Sequence, residues 1–505
     1  MATLALAQDN AFGQPLESQL RSCLLAMWIA EEAGFDPELG GTVYWTSLLR
    51  YVGCTGHAHE VAAMFGDEIS LRSRTLVQDA ADIDEVIDDA ITFATVGQSP
   101  QEREHTIELI TTHGLEWSVH NYRSGCEVGD MLLERLDFGP PVREALRFTF
   151  ERWNGNGFPT HASGEAIPIA MRVVHLSHDM EAIARHASPS DALDAAQNRR
   201  GRTYDPEIAD LFLAHGGAWF DRLDKVEPWD AVLDLEPEPH RVLTGTAIDE
   251  ALTVAADFID LKSPYMAGHS RRCARLVHDA SQHLGLPADD VDTARRAALV
   301  HDFGTTAIPN SIWDKPSSLT RAERDRVERH TMITEQMLRR SPALATLNPV
   351  AAAHHEKSDG TGYHKGLPRG RIGERARVLA AADVYVALTS DRADRPAHPP
   401  VTAAALIRQF AGEGQLDGRA GEAVLTAAGH ATARRAPADR PGGLTKRETE
   451  VLRLAARGLT TSEIAAQLYI SPKTADVHIQ HVYSKIGVST RAAAALWAMQ
   501  NDLVG

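Results

Sequence analysis

Two adjacent pairs of side chains that bind transition metals, His301-Asp302 in ALVHDFG and His354-His355 in AAAHHEKSDGTGYHKGL, stand out in the chain. His269, His330 and Asp383 lie around them. Imidazole nitrogens and carboxylate oxygens suit a pair of divalent transition ions. A two-ion site is a recurring device for in-line attack on a phosphodiester.

The elements that must position these residues are helices. Apolar residues recur at three-and-four spacing in 18–30, 271–284, 293–300 and 323–338. Pro and Gly cluster in loops at 305–316 and 358–374, and strand-like alternation is scarce. The expected fold class is all-α. An internal repeat organises it. Residues 31–53 match 282–304, 125–136 match 330–341, 151–159 match 356–364, and 202–216 match 414–429. The chain thus reads as two copies of one helical domain, 1–236 and 243–430, with an insertion of some forty-odd residues in the 60–120 region of the first. In that register Ser18 replaces His269, Arg50-Tyr51 replace His301-Asp302, Gly125 replaces His330, and Thr149-Phe150 replace His354-His355. Asp383 falls against His178, with Asp179 beside it. The first copy keeps the apolar frame and loses the ligands, which leaves it packing, dimerisation or sensing. His57 and His59 with Cys54 read either as a small site or as surface histidines of a loop.

Of 505 residues, the four cysteines include no CxxC, which excludes a disulfide framework or zinc ribbon and suits a reducing cytoplasm. No apolar run approaches the ~20 residues of a membrane span, and the N-terminus lacks the features of a secretion signal. The net charge of −18 is uneven: from Leu444 onward seven Lys/Arg face five Asp/Glu, a balance of +2, so the remainder carries −20. An acidic body repels DNA, which confines any nucleic-acid contact to the last 60-odd residues.

That tail, 444–505, follows a Pro- and Arg-rich linker at 431–443. Thr445 with Glu448 and Thr460 with Glu463 predict capping boxes. Ser471-Pro472 predicts an N-cap with proline at the first helical position. Three short helices and a fourth at 491–502 form a helix-turn-helix pattern.

Residues 262–396 resemble an HD-GYP domain, a branch of the HD metal-dependent phosphohydrolases. The resemblance rests on His269-Ser270, His301-Asp302-Phe303-Gly304, His330, His354-His355-Glu356, Asp359-Gly360-Thr361-Gly362-Tyr363, and the run from Ala382-Asp383 to Asp391-Arg392. It implies an all-helical domain with iron or manganese ions that hydrolyses cyclic di-GMP. Beside it, Asp302 suits a bridging carboxylate. His269, His301 and Asp383 would hold one ion, and His330, His354 and His355 the other. Asp302 and His301 would be catalytic. Tyr363 would contact substrate, and Arg392 and Arg395, one turn apart if helical, would clamp phosphate oxygens. Three positions depart from the family pattern. The lysine of HD-x-x-Lys is Thr305, the proline of Gly-Tyr-Pro is His364, and the glutamate that accompanies a third metal is Tyr265. Two metals rather than three are therefore expected.

The tail is similar to the DNA-binding domain of LuxR-type regulators. Helix 472–485 would enter the major groove with Lys473, Thr474, Asp476, Val477 and Gln480 toward the bases or backbone. His478, Lys485 and Arg491 would suit phosphates. Helix 491–502 resembles the family's dimerisation helix and implies a homodimer. Three readings follow: a cyclic-dinucleotide phosphodiesterase that governs DNA binding, a regulator that binds nucleotide or metal without hydrolysis, or a phosphohydrolase of another phosphoester.

Overall fold

A computed structural model describes residues 1–430 and 441–504; most of the expected linker lies outside the described residues. The chain is helical, and among the described residues the only β-type pairings are the isolated bridges Arg200–Tyr204 and Arg392–Arg395. The contacts divide it into two units, Met1–Thr244 and Gly245–Gly505.

In the first unit, α1 (Ser18–Glu32), α2 (Pro37–Leu48), the long α3 (Pro100–Arg135) and α4 (Ile169–His186) carry the frame. α1 packs on both α2 and α4 through fully buried residues that include Leu20, Leu24, Leu25 and Ile29. Between α2 and α3 lie the short helices Ala58–Phe65, Glu68–Thr75 and Ile83–Ala94, in the region of the sequence insertion.

In the second unit, α5 (Thr246–Asp260), α6 (His269–His283), α7 (Ala288–Val300), α8 (His330–Arg340) and α9 (Glu374–Leu388) enclose a core in which α6 and α7 make the most extensive pairing. The apolar period over 323–338 predicts one helix; the structure has two, Arg321–Glu328 and α8, meeting at Arg329. The break has a local cause. His330 Nδ1 bonds Val327 O at 2.7 Å and Thr331 Oγ1 donates to Glu328 O at 3.1 Å, so side chains take carbonyls that a continuous helix would use.

The tail comprises α10 (Lys446–Ala456), α11 (Thr461–Gln467), α12 (Pro472–Ile486) and α13 (Arg491–Gln500). Both expected capping boxes form, at Thr445/Glu448 and Thr460/Glu463, and Ser471 Oγ caps α12 ahead of Pro472. Gly487 ends α12 in the left-handed conformation, at φ 72°, which glycine adopts without strain. Val451, Ile464, Ala475 and Ile479 form the core of the module.

Candidate metal centre

Three histidines share one local design. His301 caps α7, His330 opens α8, and His354 lies in the turn after the short helix Asn348–Ala351. Each bonds through Nδ1 to the carbonyl three residues back: Ala298 at 2.9 Å, Val327 at 2.7 Å and Ala351 at 2.7 Å. Such a bond puts the proton on Nδ1 and leaves the Nε2 lone pair free for a cation. All three side chains are essentially fully buried. His354 and His355, neighbours in sequence, face one centre because they stand beyond the helix end, with ring centroids 4.2 Å apart.

Asp302 separates the donors into two sets. Its Oδ2 lies 3.3 Å from His301 Nε2 and 3.7 Å from His269 Nε2. Its Oδ1 lies 3.6 Å from His330 Nε2 and 3.4 Å from His354 Nε2. Asp383, on α9, approaches His269 Nε2 at 3.1 Å through Oδ1 and His355 Nδ1 at 3.8 Å through Oδ2. All seven residues expected from the sequence therefore converge. Cys273, one turn after His269, joins the first set with its Sγ 3.6 Å from His269 Nε2. Sequence reasoning missed it, although the i, i+4 spacing from His269 on a helix was a usable signal.

The donor chemistry fits a pair of divalent cations. Burial pushes His301 and His330 down to about 4 and His355 well below its ordinary value, so they are neutral at pH 7. Burial also acts on His354, but its bond to Asp302 raises it above the usual value. Asp302 and Asp383 are held low, against the cost of burial, by the imidazoles around them. His301 Nε2 has no hydrogen-bond partner among the described residues, and His330 Nε2 and His354 Nε2 face each other at 3.1 Å. Two inward nitrogens with outward Nδ1 protons must share a proton or a cation.

His269, Asp302, His330, His355 and Asp383 form the floor of a cavity of about 460 Å³ whose walls include Met266, Trp313, Lys315, Arg324, Tyr363 and Arg392. Tyr363, expected at the substrate, stacks obliquely on His355 with centroids 4.8 Å apart. Arg392 reaches the cavity, with Nη1 2.9 Å from Met266 Sδ. Arg395 does not join it. The segment after α9 is a tight turn rather than helix, with Arg392 N bonded to Arg395 O at 2.8 Å. The Arg395 guanidinium instead binds the carbonyls of Ala387 and Leu388, where unsatisfied acceptors end α9. Lys315 and Arg324 were not foreseen, because they come from the loop and helix preceding α8, outside any motif. Thr305, in the place of the family lysine, is buried and donates to Asp302 O at 2.7 Å. His364 bonds Glu335 Oε2 at 2.7 Å.

Gly304 makes the centre compact. A Cβ there would collide with His330 O. The first unit has the same close approach, since a Cβ at Gly53 would collide with Gly125 O. There, no group of donors able to hold a metal is found among the described residues. His57 is buried rather than on the surface.

In the tail, Lys473, Thr474, Asp476, Val477 and Gln480 are exposed along α12, and His478 is half-buried. Lys485 is turned inward to Glu448 Oε2 at 2.7 Å, tying α12 to the cap of α10. Arg491 donates to Gly458 O at 3.1 Å. Both cations thus serve the module's own fold in this arrangement.

Residues 111–208 and 253–420 match the sequence profile described as HD domain, which spans more than half of the chain. The chain belongs to the HD-domain family, in its HD-GYP branch. Residues 443–498 match the profile of bacterial regulatory proteins of the luxR family. Among relatives, 3'3'-cGAMP-specific phosphodiesterase 3 of Vibrio cholerae is 30% identical over 413 residues, 81% of this chain and 90% of that one. A cyclic di-GMP phosphodiesterase of Pseudomonas aeruginosa is 38% identical over 169 residues, 33% of this chain and 40% of that one. The crystal structure of a cyclic GMP-AMP specific phosphodiesterase of V. cholerae aligns with a TM-score of 0.58 at 26% identity, covering 85% of this chain and 97% of that one.

Proposed function

We propose that the chain is a cytoplasmic, metal-dependent phosphodiesterase of a guanine-containing cyclic dinucleotide, coupled to a DNA-binding output. The observation that carries the catalytic part is the division of the Asp302 oxygens between two sets of buried imidazoles. His269, His301 and Asp383 would hold one ion, His330, His354 and His355 the other, with Asp302 between them; iron or manganese suits such a nitrogen-rich set. When bound, the ions supply Lewis acidity toward the phosphoryl oxygens and a water acidic enough to attack near neutral pH. The chain's own part is orientation. Backbone carbonyls fix three imidazoles, Arg392 and Arg324 receive phosphate charge, and Trp313 and Tyr363 offer faces to the bases.

The relative that spans most of this chain is named for 3'3'-cGAMP and the shorter one for cyclic di-GMP, so both belong in the assay. Anaerobically purified protein with Mn²⁺ or Fe²⁺ should open the ring of one of them to a linear product. Asp302→Ala should lower the rate at least about 1000-fold, near 4 kcal/mol of transition-state stabilisation. Equal rates for the two proteins would refute hydrolysis at this centre.

DNA binding through 444–505 is supported by the exposed row on α12 and by the tail's positive balance. The homodimer implied by the resemblance of α13 meets a condition: Ala492–Leu496, Ala498 and Met499 are buried within the chain, so pairing through that helix requires its release. Light scattering with and without DNA measures this assembly.

A further inference from the structure

The first copy retains a cavity where its ligands have been lost. About 150 Å³ in volume, it lies over Arg50 and Tyr51, the residues in register with His301 and Asp302. Arg50 and Tyr51 follow α2 as His301 and Asp302 follow α7, and Asp179 enters from α4 as Asp383 does from α9. The insertion that distinguishes this copy forms its roof: Leu76, Gln78, Ile83 and Val86 line it. An insertion that merely filled a dead site would leave no such space.

The lining has two chemistries. One is aromatic: Phe12 stacks on Tyr51 at 3.9 Å, and Tyr122 stacks on Phe150 at 4.2 Å, with Tyr122 and Phe150 only half-buried. The other is cationic. Arg50 and Arg152 are 4% and 7% exposed, and the Nε of each has no hydrogen-bond partner among the described residues. Arg50 donates to the Val174 carbonyl at 3.2 Å, lies 3.8 Å from Asp179 and sits over the Tyr51 ring at 5.1 Å, while Arg152 donates to the carbonyls of Thr149 and Glu151. Asp179 is itself occupied by His178 and the Tyr204 hydroxyl. The Glu151 carboxylate is turned to Thr160 N and Oγ1. Two buried guanidinium groups and one carboxylate line the cavity, and unpartnered guanidinium donors are costly to bury, so an anion entering it would satisfy them.

We infer that the first copy is a binding site for a small aromatic anion, a planar ring bearing a phosphate or a carboxylate. The ring would lie between the stacked pairs, and the anion would meet Arg50 and Arg152. The space is about a third of the roughly 460 Å³ at the metal centre, which favours one base with one anion over a whole cyclic dinucleotide. The inference does not depend on hydrolysis by the second copy.

The test is calorimetric titration of the full-length Asp302→Asn protein with GMP, AMP, anthranilate and inorganic phosphate. At least one aromatic anion should saturate a single site. Success with a nucleotide identifies a phosphate ligand, and success with anthranilate a carboxylate. Adding Tyr122→Ala, a half-buried position, should weaken that binding about tenfold with an unchanged melting curve. Arg152→Gln should abolish it; if that variant does not fold, Tyr122→Ala decides. Absence of saturable binding by all four compounds overturns the inference. So does binding that Tyr122→Ala leaves untouched, or inorganic phosphate binding as tightly as the aromatic anions.

Discussion

Arg457, at the end of α10, donates to Asp391 Oδ2 at 3.1 Å, and the residue after Asp391 is the Arg392 that faces the metal cavity. A second link runs beside it. The half-buried Arg272, one turn after His269, binds Val504 O at 2.8 Å and Ser390 Oγ at 3.1 Å. The luxR-type module is therefore docked on the loop and helix that frame the cavity. A half-exposed ion pair of this kind contributes about 1 kcal/mol, so the contact is breakable. A phosphate that draws Arg392 inward would shift Asp391 away from Arg457. With a phosphorothioate cyclic dinucleotide that resists cleavage, affinity for random duplex DNA at low salt should change by about fivefold or more. Arg457→Ala should reduce that change to within about twofold and leave hydrolysis intact. Fluorescence anisotropy measures both; an unaltered response in the variant would disprove this route.

Arg324 is the cation that best compensates for Thr305. Lys315 also lines the cavity, but both oxygens of Glu323 hold its ammonium at 2.7 and 2.8 Å. Arg324 stands exposed on the same short helix. Arg324→Ala should raise KM about tenfold, equivalent to about 1.4 kcal/mol, with metal content unchanged and kcat little altered. A fall in kcat alone would place Arg324 elsewhere than on the ground-state substrate.

The helical class, the capping boxes and the seven converging donors were legible because each rests on local spacing or on a repeat that marks what was lost. The cap of α12 is in Ser471-Pro472 itself. What escaped depends on tertiary placement. Arg395 reads as a phosphate clamp only if 388–395 is helix, and the chain turns there instead. Lys485 reads as a phosphate contact, but Glu448 lies within reach across the fold. Cys273 and Arg324 gain their positions only once α6 and the helix before α8 are packed.

Gly304 tests whether the metal centre depends on close approach of its two halves. With a Cβ in the place of Gly304 Hα, the His330 carbonyl must retreat, and with it the opening of α8. Overpacking of this kind typically costs about 1–3 kcal/mol. Gly304→Ala should therefore lower the melting temperature and release one of the two proposed ions, since His330 moves while His269, His301 and Asp383 stay. Elemental analysis reads the stoichiometry; retention of the wild-type content would sink this account.

The first unit should be acid-sensitive through histidines that take no part in catalysis. Burial holds His178 down to about 4, with the Arg50 charge adding to the effect. Burial likewise holds His57 and His175 well below the ordinary value, aided by Arg72 and Arg152 respectively. In the unfolded chain each would take a proton near pH 6.5. The unfolded state thus binds more protons below that pH, and folding stability falls as pH falls. The slope is up to about 1.4 kcal/mol per pH unit for each histidine, continuing for His178 to about pH 4. Asp179, held below the usual carboxylate range by His178 and Arg50 in spite of burial, adds loss in the same direction at still lower pH. Six of the eight tryptophans lie in this unit, so their fluorescence reports its unfolding. Urea melts at pH 7.5, 6.0 and 5.0 should give steadily lower midpoints, and His178→Gln should flatten the dependence by about a third. A midpoint constant from pH 7.5 to 5.0 would mean that these imidazoles are not buried as neutral groups.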